Sequence, residues 1–225
     1  MRLQPLIILL LLAFLLVGLF GYLTLQPFFN KPRLSAPGAD FANSISADAL
    51  PQVTFVNPNL GNPRAKVTII EYGDYLCSFC ATVQESLAQI LKEYEDKVRL
   101  VWKDFPLVNI HPLSDKLASA ARCAGEEGKF WEYQDLLFSR QKDILSEAEV
   151  FNFAQELRLG SDFETCYKTS KMRPRVQADF EEGVRLGVDG VPYFFVGNER
   201  LSGAVSYERL KETIEQQLLK VRTTN

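Results

Sequence analysis

Lys66-Val-Thr-Ile-Ile-Glu71-Tyr-Gly-Asp74-Tyr-Leu-Cys77-Ser78-Phe79-Cys80 is the stretch whose reading decides the fold. Its first half is apolar and β-branched, the pattern of a buried strand. Beyond it, Val83, Leu87, Ile90, Leu91 and Tyr94 recur at helical spacing. Two thiols therefore stand where a strand turns into a helix, the first of them at the helix N-terminus. Free N–H groups and the helix dipole there favour a thiolate, the form in which sulfur attacks a disulfide. The layout is that of a dithiol–disulfide exchange site, although a Cys-x-x-Cys taken alone also occurs in metal sites.

Working outward, Val53-Thr-Phe-Val56 is expected as a short first strand and Val98-Arg-Leu-Val-Trp-Lys103 as the strand after the cysteine-bearing helix. Strand, helix and strand in that order predict a parallel pair with a right-handed crossover. Helical patterning then runs for a long stretch. Leu113, Leu117, Ala120, Ala121 and Ala124 mark one helix, entered through Pro112, and Phe130 to Phe138 a second. Ser146-Glu-Ala-Glu149 reads as a capping box before Val150, Phe153, Ala154 and Leu157, with Gly160 ending that helix. Ser161-Asp-Phe-Glu164 repeats the box before the helix that carries Cys166, and Pro174 is expected to break the chain before Val176, Phe180 and Val184. Tyr193-Phe-Phe-Val196, a Gly197-Asn198 turn and Arg200-Leu-Ser-Gly203 predict a hairpin, and Tyr207, Leu210, Ile214 and Leu218 a final helix.

The N-terminus addresses the chain to a compartment. Leu6 to Leu25 is uncharged and leucine-rich, about 30 Å long as a helix and enough to cross a bilayer. Arg2 before it favours a cytoplasmic N-terminus. Residues 1–29 are read as a signal anchor or transmembrane helix, with a cleaved signal peptide as the alternative. In either case the remainder is exported. Residues 30–52, rich in Pro, Ser, Ala, Asn and Asp, are read as a linker, and 53–225 as one domain. A net charge of −3 with acidic and basic residues mixed points to no nucleic-acid partner.

The order β, βαβ, helices, ββα, with Cys-x-x-Cys opening the first helix, is the thioredoxin arrangement with a helical insertion, here about residues 108–187. The fold class is therefore α/β. Thioredoxin-like proteins place a cis-proline beside the dithiol, just before the strand of the second half, and Val191-Pro192 fits that position; the alternative is a trans proline opening a strand. The chain resembles the DsbA-like thiol–disulfide oxidoreductases, their membrane-anchored bacterial branch in particular. The matching segments are Val67 to Cys80, Arg99-Leu-Val-Trp-Lys-Asp-Phe-Pro106, Cys123-Ala-Gly-Glu-Glu-Gly-Lys-Phe-Trp131 and Gly187-Val-Asp-Gly-Val-Pro-Tyr-Phe-Phe-Val196.

The resemblance implies roles by position. Cys77 is the nucleophile and the sulfur of the mixed disulfide, Cys80 its more buried partner, and Val191 with Pro192 a short edge for the substrate. Glu71 matches an acidic residue buried under the dithiol, where a raised pKa would let it exchange protons with Cys80. The alternative is a structural glutamate held by Lys103. The most oxidising members have Pro-His between their cysteines. Ser78-Phe79 supplies no imidazole, so a milder oxidant is expected, with Phe79 either offering apolar surface to unfolded clients or packing on a loop.

Cys123 and Cys166 both fall in the insertion of an exported chain, so a structural disulfide is expected, with two buried thiols as the alternative. His111, the sole histidine, is read as capping or packing, with a catalytic role as the alternative, and Phe130 with Trp131 as insertion core.

The function implied is donation of the Cys77–Cys80 disulfide to exported proteins with thiols. Reoxidation would come from a membrane partner of the DsbB or vitamin K epoxide reductase type. No cofactor beyond the redox-active disulfide, and no metal, is implied. An extracytoplasmic reductase or isomerase and a metal-binding protein of this fold are the alternatives.

Overall fold

The computed structural model describes residues 49–223. The expected anchor, and the linker as far as residue 48, lie outside the described residues. Among the described residues no helix is long and apolar enough to cross a membrane.

The strands are β1 (Asn59–Gly61), β2 (Val67–Gly73), β3 (Val98–Asp104), β4 (Tyr193–Val196) and β5 (Glu199–Ser202), paired in the order β1-β3-β2-β4-β5. The helices are α1 (Ser78–Tyr94), α2 (Ser114–Glu126), α3 (Phe130–Ser139), α4 (Ala148–Glu156), α5 (Ser161–Lys168), α6 (Arg173–Arg185) and α7 (Tyr207–Thr223). β2 runs parallel to β3 and antiparallel to β4, which places Glu71 between Trp102 and Phe194. This is a thioredoxin sheet, with α2 to α6 inserted between its βαβ and ββα halves.

The period-2 alternation of β2 sorts its side chains onto two buried faces. Val67 and Ile69 pack with Val83, Leu87 and Ile90 of α1 and with Leu210 and Ile214 of α7. Ile70 and Tyr72 face the other way, onto Phe105, Leu186 and Val188. A third cluster joins the insertion to the redox end of the sheet: Leu117, Ala121, Tyr133, Leu137, Val150 and Phe153 share it with Tyr75, Cys77, Cys80 and Trp102. The Trp102 indole reaches that cluster because residue 73 is glycine. A Cβ there would stand 2.3 Å from the ring.

Several expectations need correction. Val53–Val56 is not a strand: Asn57 N donates to Thr54 O (3.1 Å) and Thr54 N to Asn57 Oδ1 (2.9 Å), a reverse turn that leaves Phe55 97% exposed. Asparagine turn chemistry outweighs the β-branched pattern, and the first strand forms at Asn59 instead. Pro174 does not separate helices but lies in the first turn of α6, where its missing N–H has no helical partner to lose. α2 begins at Ser114, after Pro112 rather than through it. α4 ends at Glu156, with Arg158 at φ 58°, and Gly160 serves as the N-cap of α5. The expected Ser161 capping box is replaced by a distant residue: the Glu127 carboxylate accepts from Gly160 N (3.2 Å) and Phe163 N (2.9 Å). Of the Ser146 box, the return bond forms, Ser146 N donating to Glu149 Oε2 at 3.2 Å, while Ser146 Oγ accepts from Ala148 N at 3.2 Å and α4 opens with Glu147 as its N-cap. Trp131 is half-buried at the edge of the insertion, donating Nε1 to Asn59 O at 3.0 Å, while Phe130 is buried as expected.

Candidate active site

β2 ends in a turn built by Asp74, a buried residue that sequence reading did not single out. Its Oδ1 accepts from Leu76 N at 2.8 Å and its backbone carbonyl from Cys77 N at 3.1 Å. Its Oδ2 accepts from Leu107 N (2.8 Å) and lies 3.0 Å from His111 Nδ1. His111 therefore ties the loop after β3 to the redox turn and makes no bond to either sulfur.

The turn delivers Cys77 to the N-cap of α1 in an extended conformation, φ −78° and ψ 117°. Cys77 is 7% exposed and Cys80 fully buried, so Cys80 is the deeper of the two sulfurs. The Cys80 thiol donates to Cys77, and the N–H groups of Cys80 and Phe79 add to it; burial and Asp74 oppose them, and the Cys77 pKa falls to about 6. Burial pushes the Cys80 thiol strongly upward, its bond to Cys77 and the charge of Glu71 adding to this. The two sulfurs are thus electrostatically unlike. One is a thiolate at neutral pH, the other a held proton.

Opposite Cys77, the Val191–Pro192 bond is cis. The Cys77 thiol reaches the Val191 carbonyl at 3.5 Å. The residue before the proline therefore presents a backbone edge to whatever approaches the sulfur, while Pro192 itself is buried.

Glu71 lies beneath, fully buried on the α1 face of β2. Burial raises its pKa to about 8; the hydrogen bond from Gln84 works against the rise and Cys77 adds to it. Gln84 Nε2 donates to Glu71 Oε1 at 3.1 Å and to Cys80 O at 2.9 Å, and Oε2 has no hydrogen-bond partner. Lys103 does not hold Glu71. In the β3 register Lys103 lies beside Tyr72, one position on, so it points to the opposite face and pairs with Asp179 (3.1 Å) and Glu182 (2.8 Å).

Phe79 is 62% exposed, which overturns packing on a neighbouring loop, and Ser78 is exposed beside it. Cys123 and Cys166 form a disulfide joining α2 to α5. Cys77 and Cys80 are then the free thiols of the chain. Among the described residues no group of three or more His, Cys, Asp or Glu side chains is placed to hold a metal ion.

Asp74, Gln84 and Gln141, whose amide donates to the Tyr75 and Cys77 carbonyls, were missed from sequence. Asp74 had a legible signal, an Asp opening a turn, and Gln84 had helical spacing from Cys80. Gln141 had none, being far from the dithiol along the chain.

Sequence comparison agrees with this geometry: the thioredoxin family profile matches residues 54–216. The chain belongs to the thioredoxin family. Within it the architecture is DsbA-like. Among solved structures, a thioredoxin-like oxidoreductase from Silicibacter pomeroyi DSS-3 is 26% identical, covers 72% of this chain and 92% of its own, and superposes with a TM-score of 0.61. The α-DsbA1 of Wolbachia pipientis shares the fold at a TM-score of 0.69, with 18% identity over 80% of this chain and 99% of that one. Among curated proteins, the Na(+)/H(+) antiporter NhaA 3 of Salinispora tropica is 34% identical over 155 residues, 68% of this chain and 24% of that protein. The chain thus spans about a quarter of the length of the curated relatives it matches.

Proposed function

We propose that this thioredoxin-family chain is a thiol–disulfide oxidoreductase that donates the Cys77–Cys80 disulfide to cysteine pairs of exported proteins. The observation that carries the reading is the asymmetric sulfur pair at the N-terminus of α1, with Cys77 Sγ 3.5 Å from the carbonyl beside the cis-proline. A client thiolate attacks Sγ of Cys77, the Cys77–Cys80 bond breaks, and Cys80 leaves with the electron pair. Cys80 then takes a proton from neutral Glu71, which is mostly protonated at pH 7. The second client thiolate attacks the client sulfur of the mixed disulfide and expels Cys77 as its stabilised thiolate. The client is oxidised by two electrons and the dithiol reduced by two.

A stabilised Cys77 thiolate favours the reduced form and so makes the disulfide an oxidant. Its strength is moderate, since Ser78 and Phe79 add no charge. No cofactor beyond the disulfide takes part. The client docks its backbone on Val191 and its apolar side chains on Phe79. The site of action is the outer side of the bacterial cytoplasmic membrane, with residues 1–29 as the anchor; the Cys123–Cys166 disulfide supports an oxidising compartment. Electrons leave to a quinone-linked membrane protein of the DsbB or vitamin K epoxide reductase type.

Equilibration of the full-length protein with glutathione buffers, read by alkylation of Cys77, tests the direction. A moderate oxidant is reduced readily by glutathione. A pair that stays oxidised in strongly reducing buffer belongs to a reductase instead. Cys80→Ala is expected to trap clients as mixed disulfides on Cys77, and absence of such adducts would count against exchange chemistry.

A further inference from the structure

The Tyr75 hydroxyl of the redox turn donates to Gln134 Oε1 of α3 at 3.1 Å, but the carbonyls of the turn are held from the insertion by one side chain. Gln141 opens the 3₁₀ turn Gln141–Asp143 after α3, and its Nε2 donates to Tyr75 O at 2.8 Å and to Cys77 O at 3.1 Å. The Cys77 carbonyl is also the first acceptor of α1, receiving Ala81 N at 3.2 Å. Just beyond, Ile144 is buried in the cluster that contains Tyr75, Cys77 and Cys80. Asp74, Leu107 and His111 fasten the same turn through other atoms. The turn is thus bracketed by two loops that are remote from it in sequence, and only Gln141 reaches its carbonyls from the insertion.

Those carbonyls matter because of their sign. A carbonyl oxygen is the negative end of its dipole, and a thiolate at Cys77 is stabilised by the opposite, the N–H groups of Phe79 and Cys80. An amide that ties both oxygens toward the insertion keeps them off the sulfur and keeps Sγ over its donors. The disulfide form carries no sulfur charge, so it depends on this orientation far less.

We propose that Gln141 is a positioning residue of the redox site, through which the helical insertion sets the balance between the dithiol and disulfide forms of Cys77 and Cys80. The inference rests on the exchange chemistry proposed above and adds a residue and a physical lever to it.

The test uses the full-length protein and two variants at this half-buried position. Gln141→Met keeps the length and removes both donors; Gln141→Glu keeps the shape, removes the donors at neutral pH and adds a negative charge. Three measurements are compared: the equilibrium with glutathione, the pH at which thiolate absorbance appears, and the thermal midpoints of both redox forms. Expected for Met is a shift of about threefold toward the disulfide, thiolate onset at higher pH, and a larger loss of stability in the reduced form than in the oxidised one. Glu is expected to move further in the same direction. Equal loss of stability in both forms, with an unchanged glutathione equilibrium and thiolate onset, would mean that Gln141 is merely structural and would overturn the inference while leaving the exchange reading intact. If the parent protein itself does not equilibrate with glutathione, that reading fails and the inference with it.

Discussion

The acidic side chains packed against the sheet fall into two groups, one with cations and one without, and they are treated differently. On the α6 face, Asp179 and Glu182 meet Lys103, and Arg122 joins Asp179 to Asp104 at the end of β3. Arg122 Nε bonds Asp104 Oδ2 at 2.6 Å, its other nitrogens reach Asp179 and the Val56 carbonyl, and Trp102 Nε1 donates to Asp104 Oδ1 at 2.7 Å. On the α1 face, Glu71 has a single neutral donor and one bare oxygen. Burial opposes ionisation in both places. It works against the Arg122 charge too, yet Asp104 and Asp179 raise the Arg122 pKa, while burial lifts Asp179 with Arg122 and Lys103 pulling it back. At Glu71 only an amide pulls back. Cations make a buried acid part of the framework. Without them it keeps its proton up to about pH 8, as the proposed proton transfer to a leaving Cys80 thiolate requires.

The largest effect that would test this contrast comes from breaking the paired side. Arg122→Leu strands Asp104 and Asp179 without their shared cation and is expected to cost about 3–5 kcal/mol in urea unfolding. A loss under about 1 kcal/mol would mean that the cluster is solvated and that the contrast is false.

The unpaired side should respond in the opposite sense. Glu71 has a folded pKa of about 8 against an ordinary value of 4.5, so the folded state holds a proton that the unfolded chain releases between those limits. Its contribution to stability is present below pH 4.5, falls as pH rises, and is fully lost above about 8. Glu71→Gln removes that loss. It should stabilise the reduced protein by up to about 3 kcal/mol at pH 7, the gain growing from pH 5 to 8 and then flattening. A gain independent of pH would refute the assignment. The same variant should slow reduction of the Cys77–Cys80 disulfide near neutral pH, since Cys80 loses its proton donor.

Smaller changes sharpen the comparison. Gln84→Leu removes the one interaction that lowers the Glu71 pKa, so the pH-dependent limb should move upward by roughly one unit or less. In a Glu71→Gln background the same substitution should shift no limb. On the other face, Tyr72→Phe deletes the hydroxyl that donates to Glu182 Oε2 at 2.8 Å. Since Lys103 still holds that carboxylate, a loss of only about 1 kcal/mol is expected, without pH dependence near neutrality.

What the sequence disclosed and what it withheld divide along the same physical line. Cys77, Cys80, Val191-Pro192 and the pairing of Cys123 with Cys166 were legible, because each depends on a local pattern or on a residue type with few uses. Glu71 was legible as a candidate, but its freedom from Lys103 was not. One position of register decides which face a strand residue points to, and the pattern Trp-Lys-Asp does not fix it. Asn57, Arg122 and Asp179 form one buried cluster from three distant segments, and nothing local announces any of them. Val53–Val56 was misread for the reverse reason: its β-branched pattern was local and real, but the Asn57 turn and the pairing of Asn59–Gly61 with β3 decided the outcome.

The Cys123–Cys166 bridge has a consequence for the order of events in the life of the molecule. Gln141 lies within the segment that this bridge closes, so the part of the insertion that steadies the redox turn is itself cross-linked. By loop-closure entropy the bridge is worth at most about 4 kcal/mol. On the proposed reading, a newly exported chain would have neither bridge and would be, at that moment, a dithiol substrate of the kind it is proposed to serve. Its first completed copies would then hasten the maturation of those that follow.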